Sequence, residues 1–267
     1  MTADYDAAFF EAKAEEVRRS AETIVHLVLE LVAPGSVVDL GCGTGTWLAV
    51  FAEHGVGEIL GVDGDWVPRE RLEIPQERFA AAQLERPFRL ERRFDLAVSL
   101  EVAEHLPEHA ADGFVESLTR LAPVVLFSAA VPHQGGLHHV NEQWQDYWAA
   151  RFAESGYEAV DAIRPRMWDA EGIPYWYVQN MLVYATPEAI ASRPGLAPAR
   201  AATTEAMLPL VHPRMLTRVA ADPAAAHTRR ITARELSLRE LADAVPRALA
   251  RSVRHRLRRG QNANGPR

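Results

Sequence analysis

Two carboxylates and one imidazole stand close together in the segment SLEVAEHLP, residues 99–107. Glu101, Glu104 and His105 follow an apolar run, and their spacing of i, i+3 and i+4 lets them face one way on a short helical turn. Pro107 limits the length of such a turn. In this arrangement the three side chains can relay a proton, hold a metal ion, or simply cap a helix, whose dipole favours acids in its first turn.

A second group of reactive side chains lies in the glycine-containing loop HQGGLHHV, residues 133–140. His138 and His139 are adjacent in this loop. The loop follows the apolar run Val124–Val131, and we expect the next helix to begin at Asn141 or the residue after it. A histidine in this position can take a proton from a hydroxyl group or bind a metal ion.

A glycine-rich turn, VVDLGCGTGTW, occupies residues 37–47 and connects a predicted buried strand to a predicted helix. Gly41, Gly43 and Gly45 alternate with other residues, which lets the backbone approach a ligand closely and adopt positive φ angles. A phosphate-binding P-loop needs a lysine that this turn lacks, and a dinucleotide fingerprint needs a glycine where the chain has threonine. The turn therefore indicates a ligand site of another kind, with Asp39 on the strand before it.

Seven apolar, β-type runs alternate with helical patterns between residues 36 and 186. Runs such as SVVDL are apolar throughout, as parallel strands buried on both faces should be, and the alternation predicts an α/β fold with a parallel, doubly wound sheet and helices on both faces. The predicted strands are Ser36–Leu40, Glu58–Asp63, Arg78–Leu84, Phe94–Leu100, Val124–Val131, Tyr157–Arg164 and Gln179–Thr186. The predicted helices are Asp6–Val32, Thr46–His54, Ala111–Leu121 and Asn141–Ser155.

Four motifs in order resemble those of class I S-adenosylmethionine-dependent methyltransferases over residues 30–186. The first is the glycine-rich turn with its preceding acid, and the second is Asp63 at the end of the second strand, 22 residues after Gly41. The third is Gln83-Leu84 at the end of the third strand, and the fourth is the segment 94–98 of the fourth strand. The resemblance implies a seven-stranded Rossmann-like methyltransferase sheet, and the helical patterns on either side of it predict an N-terminal helix and a helical C-terminal extension. It also implies S-adenosylmethionine as cofactor, held by Asp39, Gly41, Gly43, Gly45, Asp63, Gln83, Leu84 and Glu101.

Within that resemblance, Asp63 takes the position that accepts hydrogen bonds from the ribose hydroxyls of the cofactor, as in dinucleotide folds. Gln83 departs from the pattern, because the family often has an acidic residue there beside the adenine amino group. Its side-chain amide can make the same contact. Asp39 supports the methionine end of the cofactor through the loop.

The E-x-x-E-H spacing, followed by a later histidine before a helix with Glu and Trp, resembles the metal site of small-RNA 3′-terminal 2′-O-methyltransferases. Ubiquinone-pathway O-methyltransferases carry a similar E-x-x-E-H. The resemblance implies a divalent metal, Mg²⁺, Mn²⁺ or Fe²⁺, held by Glu101, Glu104, His105 and His139, with His138 as the alternative to His139. A metal-free histidine base drawn from His105, His138 and His139, with Glu101 beside it, and a purely structural role both remain open.

The charge of the chain is unevenly distributed behind its net value of −7. Residues 1–186 carry 14 Lys and Arg against 30 Asp and Glu, whereas residues 187–267 carry 15 Arg against 6 acids. An acidic body disfavours nonspecific binding to nucleic acid, while the arginine-rich part can favour it locally. We predict an N-terminal helix or lid (1–35), a methyltransferase domain (36–186) and an Arg/Ala/Pro-rich extension (187–267) with helical windows at Thr203–Ala220 and Thr232–His255 and a disordered end.

The single cysteine, Cys42, excludes an internal disulfide and fits a reducing compartment. No apolar run approaches the roughly 20 residues of a membrane span, and the acidic N-terminal stretch lacks the features of a signal peptide. The sequence therefore predicts a cytoplasmic protein without a membrane segment.

Three functions compete on this evidence. The first is methylation of a hydroxyl group of a small molecule, such as a sugar or specialised metabolite, with aromatic residues of the segment 164–180 at the acceptor. The second is 2′-O-methylation of the 3′-terminal ribose of an RNA, with the arginine-rich extension binding phosphates. The third is a cofactor-binding regulator without catalysis. The acidic body and the lack of a recognised RNA-binding module favour the first.

Overall fold

The computed structural model describes residues 7–221, with side chains from residue 14 onward. A seven-stranded sheet forms its centre, in the order β3-β2-β1-β4-β5-β7-β6. The strands are β1 (Ser36–Leu40), β2 (Glu58–Asp63), β3 (Phe79–Ala81), β4 (Leu96–Leu100), β5 (Val124–Ser128), β6 (Glu158–Val160) and β7 (Leu182–Ala185). The predicted helix Thr232–His255 and the predicted disordered end lie outside the described residues.

Nine helices connect or flank the described strands. They are α1 (Ala7–Val32), α2 (Thr46–Glu53), α3 (Ala111–Leu121), α4 (Gln145–Glu154), α5 (Arg164–Met167), α6 (Tyr175–Asn180), α7 (Pro187–Ser192), α8 (Leu196–Ala202) and α9 (Pro213–Ala221). Short 3₁₀ turns lie at Arg69–Arg71, Gln76–Arg78, Ala103–His105, Glu108–Ala110 and Glu205–Met207. None of the helices within residues 7–221 is both long and apolar enough to cross a membrane.

The core has one layer on each face of the sheet. Along β5, Val124 and Leu126 pack into the layer that contains α1 and α2, whereas Val125 and Phe127 pack into the layer that contains α3 and α4. Successive strand residues point to opposite faces, so a strand buried on both sides must be apolar at every position. The predicted α/β sheet with helices on both faces is confirmed.

The sheet is mixed, because β7 runs antiparallel to both β5 and β6 while the pairings among the first five strands are parallel. The expectation that all strands are parallel is therefore wrong for β7. The strand also begins later than predicted, at Leu182, since Gln179 and Asn180 belong to α6. Their amide side chains are buried in hydrogen bonds rather than exposed along a sheet edge.

Helix α4 begins at Gln145, four residues after the predicted start at Asn141. The backbone N–H groups of Val140 and Asn141 donate to the carbonyl oxygen of Glu104, at 2.8 and 3.0 Å, and that of Gln143 donates to Ala130. These long-range hydrogen bonds hold the segment across the carboxyl ends of the strands. The helix begins only after this segment, at Gln145.

The part of the extension that the structure describes packs against the sheet and its helices. Leu196 lies in the core layer with α1, and Leu208 in the layer with α3 and α4. The buried Arg164 guanidinium donates to the Leu208 carbonyl at 2.7 Å, and Gln145 donates to the Leu210 carbonyl at 3.1 Å. The single window predicted at Thr203–Ala220 is divided into a 3₁₀ turn and α9, because two prolines interrupt it.

Candidate functional site

The glycine-rich turn between β1 and α2 adopts the backbone that its glycines permit. Gly41, Gly43 and Gly45 have φ angles of 89°, 55° and 86°, in the left-handed region that other residues rarely adopt. A Cβ atom on Gly41 would lie 2.3 Å from a methyl group of Val102, whereas one on Gly43 would meet nothing within 4 Å. The turn therefore packs tightly on one side and leaves open space at Gly43.

Two aspartates from neighbouring strands face this turn. Asp39, on β1, and Asp63, at the end of β2, are both buried. Asp63 accepts hydrogen bonds from the backbone N–H groups of Gly43 and Gly64, at 2.7 and 2.6 Å, and so fixes the turn. Burial, and then the negative charge of Asp63, raises the pKa of Asp39 well above its usual value.

The remaining residues predicted to bind cofactor lie farther along. Strand β3 ends at Ala81, so Gln83 and Leu84 follow the strand instead of closing it; Gln83 is exposed and Leu84 is buried in the core. Trp66 was not among the residues singled out from the sequence. It is 76% exposed, and its ring lies where a Cβ on Gly64 would be. Its position, three residues after Asp63, was the sequence signal that could have drawn attention to it.

A cavity of about 430 Å³ opens at the carboxyl ends of β4 and β5. Its lining includes Glu101, Glu104, His105 and His139, together with residues from α1, α6 and α9. The structure thus brings four of the residues singled out from sequence to one place. His138 is not among them: its side chain is exposed, and its carbonyl oxygen lies 3.4 Å from Nδ1 of His105.

Glu101 is held in a left-handed conformation, with φ 55°, directly after β4. Its N–H donates to the carbonyl and the hydroxyl oxygen of Ser128, and its carboxylate accepts from Gln134 at 2.8 Å and from Asn180 at 3.1 Å. Burial raises the pKa of Glu101, and these hydrogen bonds partly oppose the rise. A non-glycine residue in this backbone region costs roughly 1–3 kcal/mol and often marks a functional site.

Glu104 is fully buried, and neither of its carboxylate oxygens has a hydrogen-bond partner among the described residues. Burial, and secondly the charge of Glu101, raises the pKa of Glu104 well above its usual value. A buried polar group without a partner costs roughly 1–3 kcal/mol, and more if it is charged. Such a carboxylate needs an explanation outside the hydrogen bonds that the protein supplies.

His139 faces Glu104, with its Nε2 atom 3.9 Å from a carboxylate oxygen. Its other ring nitrogen, Nδ1, lies 2.9 Å from Glu142, which also accepts the N–H groups of His133 and Gly135. The three potential ligand atoms of Glu104, His105 and His139 all lie within 4.8 Å of one another. A carboxylate behind a histidine fixes its tautomer and orientation, as is usual for histidines that bind metals.

Several contributors to this site were not found from sequence. Gln134, Asn180 and Glu142 hold Glu101 and His139 in place, and Arg218 of α9 reaches the cavity from the extension. Each of them is brought there by a tertiary contact. A charged residue three positions after His139, at the start of the predicted helix, was the available signal for Glu142.

Comparisons with known proteins define the class. A model of the methyltransferase domain family matches residues 13–170, which is more than half of the chain. With the fold and the glycine-rich turn, this match shows that the chain belongs to the class I S-adenosylmethionine-dependent methyltransferases. No curated protein matches the sequence.

Comparison with solved structures finds several similar proteins. Streptomyces venezuelae DesVI is 18% identical with a TM-score of 0.50, and the alignment covers 69% of this chain and all of that one. The methyltransferase domain of a bacterial protein, CtHen1, is 24% identical with a TM-score of 0.47 and coverage of 64% and 98%. An O-methyltransferase family protein from Burkholderia thailandensis is 15% identical with a TM-score of 0.48 and coverage of 68% and 60%.

Proposed function

We propose that this methyltransferase methylates a hydroxyl group of a small molecule bound in the cavity beside Glu104, with the help of a divalent metal ion. The observation that carries the proposal is the buried, unpartnered carboxylate of Glu104 next to two histidines. The cavity volume of about 430 Å³ lies within the range of roughly 300–1,000 Å³ that is typical of small-molecule sites.

The cofactor site in this proposal is the glycine-rich turn and the strand ends beside it. The open space at Gly43 and the left-handed glycines fit a ligand that lies against the backbone. Asp63 would bind the ribose hydroxyls and Gln83 the adenine, with Leu84 near them and Asp39 and Glu101 at the methionine end. When bound, S-adenosylmethionine supplies an electrophilic methyl group on a sulfonium ion.

A hydroxyl acceptor is supported by the chemistry of the cavity floor, which is formed by Glu101, Glu104, His105 and His139. An alcohol holds its proton about as tightly as water does, so the protein must assist its removal. Glu104, His105 and His139 would hold the metal, and Glu101 lies beside them. A metal there would lower the pKa of a nearby hydroxyl. His139 and His105 can accept a proton themselves if no metal binds.

The donor set fits a hard or borderline ion. Carboxylate oxygens and imidazoles suit Mg²⁺, Mn²⁺ or Fe²⁺ better than a soft ion. A neutral, protonated Glu104 would still leave its hydroxyl donor and its carbonyl oxygen unpartnered, so a raised pKa does not by itself satisfy this side chain. The support for a metal is therefore stronger than for a histidine base alone.

The test measures metal binding and product separately. Mn²⁺ is titrated calorimetrically into the metal-stripped protein and into the variants Glu104→Ala and Glu108→Ala; Glu108 is an exposed control in the following turn. We expect Glu104→Ala to lose at least tenfold in affinity and Glu108→Ala to be unchanged. Chelator should abolish transfer of a labelled methyl group to small hydroxyl compounds, with the label found on oxygen by mass spectrometry and NMR.

Three results would contradict this proposal. Full activity in excess chelator, with Glu104→Ala active, would exclude the metal and indicate that a histidine acts as the base without it. Methylation confined to RNA 3′ ends would show that the acceptor is an RNA ribose and not a small molecule. Tight cofactor binding without turnover on any acceptor would indicate a regulator.

A further inference from the structure

Arg218 lines the cavity but has no role in the methyl transfer proposed above. Among the described residues that line the cavity, it alone carries a permanent positive charge. Its guanidinium lies 5.8 Å from the ring centroid of Tyr175, on the same wall. It forms no ion pair with a carboxylate of residues 14–221, unlike Arg164 with Asp161.

Helix α9 is anchored so that Arg218 is held at this cavity. Met215 is buried against Val131 and Tyr175, and Arg218 lies three residues further along the helix, on the same side. His212, before the helix, is buried with its Nε2 atom 2.9 Å from the Trp168 carbonyl. These contacts fix α9, and the exposed side chain of Arg218 lines the cavity from this helix.

Neutralising the acids of the cavity floor does not explain Arg218. The carboxylate of Glu101 receives its hydrogen bonds from the neutral amides of Gln134 and Asn180. Glu104 has no such bond at all among the described residues. A guanidinium that served these carboxylates would lie within hydrogen-bond distance of one of them.

The other side chains at this end of the cavity are aromatic or apolar. Tyr175 and Trp176 pack with their rings at 80° and 5.2 Å between centroids, and both line the cavity. Leu137, on the loop opposite, is 66% exposed and also lines it. These surfaces fit the apolar body of a ligand, with the cation of Arg218 beside them.

We propose that Arg218 binds an anionic group of the acceptor, so that the substrate is a small hydroxyl compound that carries a carboxylate or phosphate and an apolar body. The guanidinium fork matches the two oxygens of either group and forms charge-assisted hydrogen bonds with them. The inference rests on the proposed hydroxyl methylation, because the site of Glu104 must receive the hydroxyl while Arg218 receives the anion.

The test compares matched probes that differ in charge. The full chain, saturated with S-adenosylhomocysteine, is titrated with 3,4-dihydroxybenzoate and 3,4-dihydroxybenzyl alcohol, with phenyl phosphate and phenol, and with a short single-stranded oligoribonucleotide. We expect at least one small anion to bind tenfold or more tighter than its neutral counterpart. Arg218→Met should remove this preference, Arg218→Lys should keep part of it, and the neutral probe should bind both variants alike.

Glu16→Gln is the matched control, because Glu16 lines the same cavity with the opposite charge. It should keep or increase the preference for the anion. Unchanged affinity for S-adenosylhomocysteine shows that each variant is folded. Equal binding of acid and neutral probes across the panel, an undiminished preference in Arg218→Met, or Arg218-dependent binding of the oligoribonucleotide alone would overturn the inference. Since these are binding measurements, they stand whether or not the methyl group is found on oxygen.

Discussion

At the scale of single residues, the site is built from side chains whose hydrogen bonds are used unequally. The carboxylate of Glu142 holds three partners, whereas that of Glu104, facing the same histidine, holds none among the residues described. Glu142 thus orients His139, whereas Glu104 is free to bind the metal ion of the proposed function. If the proposed metal binds, Glu104 would be a ligand and Glu142 the carboxylate that orients a ligand.

Glu142→Ala should therefore weaken Mn²⁺ binding without removing a ligand. We expect a loss of roughly 10–100-fold in affinity, because loss of an orienting partner commonly costs that much at metal sites. Calorimetric titration of the metal-stripped protein measures it. Glu154→Ala, at an exposed position on α4, is the control and should bind like the unaltered protein. Equal affinity in all three proteins would count against an orienting role for Glu142.

Asp39 provides a prediction about pH. Since burial raises the pKa of Asp39 in the folded state, the folded protein keeps a proton that the unfolded chain releases at about pH 4. Stability of the cofactor-free protein therefore falls as pH rises from that value through the raised pKa. Asp39→Asn removes this penalty and should unfold at a higher temperature than the unaltered protein at pH 8.

The difference in unfolding temperature between Asp39→Asn and the unaltered protein should shrink as the pH falls towards 4 and below, because the aspartate then becomes protonated in both states. Differential scanning calorimetry across this pH range measures it. The same variant should bind S-adenosylhomocysteine more weakly at every pH. A stabilisation that does not vary with pH would mean that the carboxylate is not the cause.

At the scale of elements, the turn between β1 and α2 combines a backbone requirement with a packing requirement. Gly41→Ala should lose at least tenfold in affinity for S-adenosylhomocysteine, since φ is 89° there and the new methyl group would overlap Val102. Gly57→Ala is the matched control, because a Cβ at that position meets nothing within 4 Å. Calorimetric titration compares the two. Similar affinities would show that the turn adapts to a side chain at position 41.

Elements defined by local signals were predicted well from sequence. Strands β1 and β2 have the bounds expected of apolar runs that end at glycine and aspartate, and α3 has the bounds expected of its periodicity. Elements whose ends depend on distant atoms were not. The segment before α4 is held by the carbonyl oxygen of Glu104, 37 residues before Asn141, and no local pattern contains that information.

The same distinction applies to the site. The residues in the glycine-rich turn and in E-x-x-E-H were found because one segment contains their whole spacing. Asn180 and Arg218 reach the cavity through the packing of α6 and α9, so their position depends on the complete fold. The choice of His139 over His138 likewise needs the loop backbone, in which a Cβ on Gly136 would overlap the His139 ring.

At the scale of the whole molecule, the described part of the extension covers the domain that it follows. The carboxylate of Asp161 accepts a hydrogen bond from Arg164, and the backbone N–H of Asp161 donates to the hydroxyl of Thr203. Arg164 also donates to the Leu208 carbonyl. These bonds connect the segment after β6 to the extension. The boundary near residue 187 remains a prediction, and its energetic meaning can be measured.

A chain that ends at residue 186 should fail to unfold cooperatively, whereas one that ends at residue 221 should retain S-adenosylhomocysteine binding. The shorter chain loses the buried side chains of Leu196, Leu208 and Met215 and exposes the surfaces that they cover. Burying one such side chain contributes roughly 1.5–3 kcal/mol, so the three together are comparable with a total stability of roughly 5–15 kcal/mol. The longer chain keeps every contact described for the extension, including Arg218 at the cavity. Thermal unfolding and calorimetric titration compare the two chains, and equal behaviour would show that residues 1–186 fold without the extension.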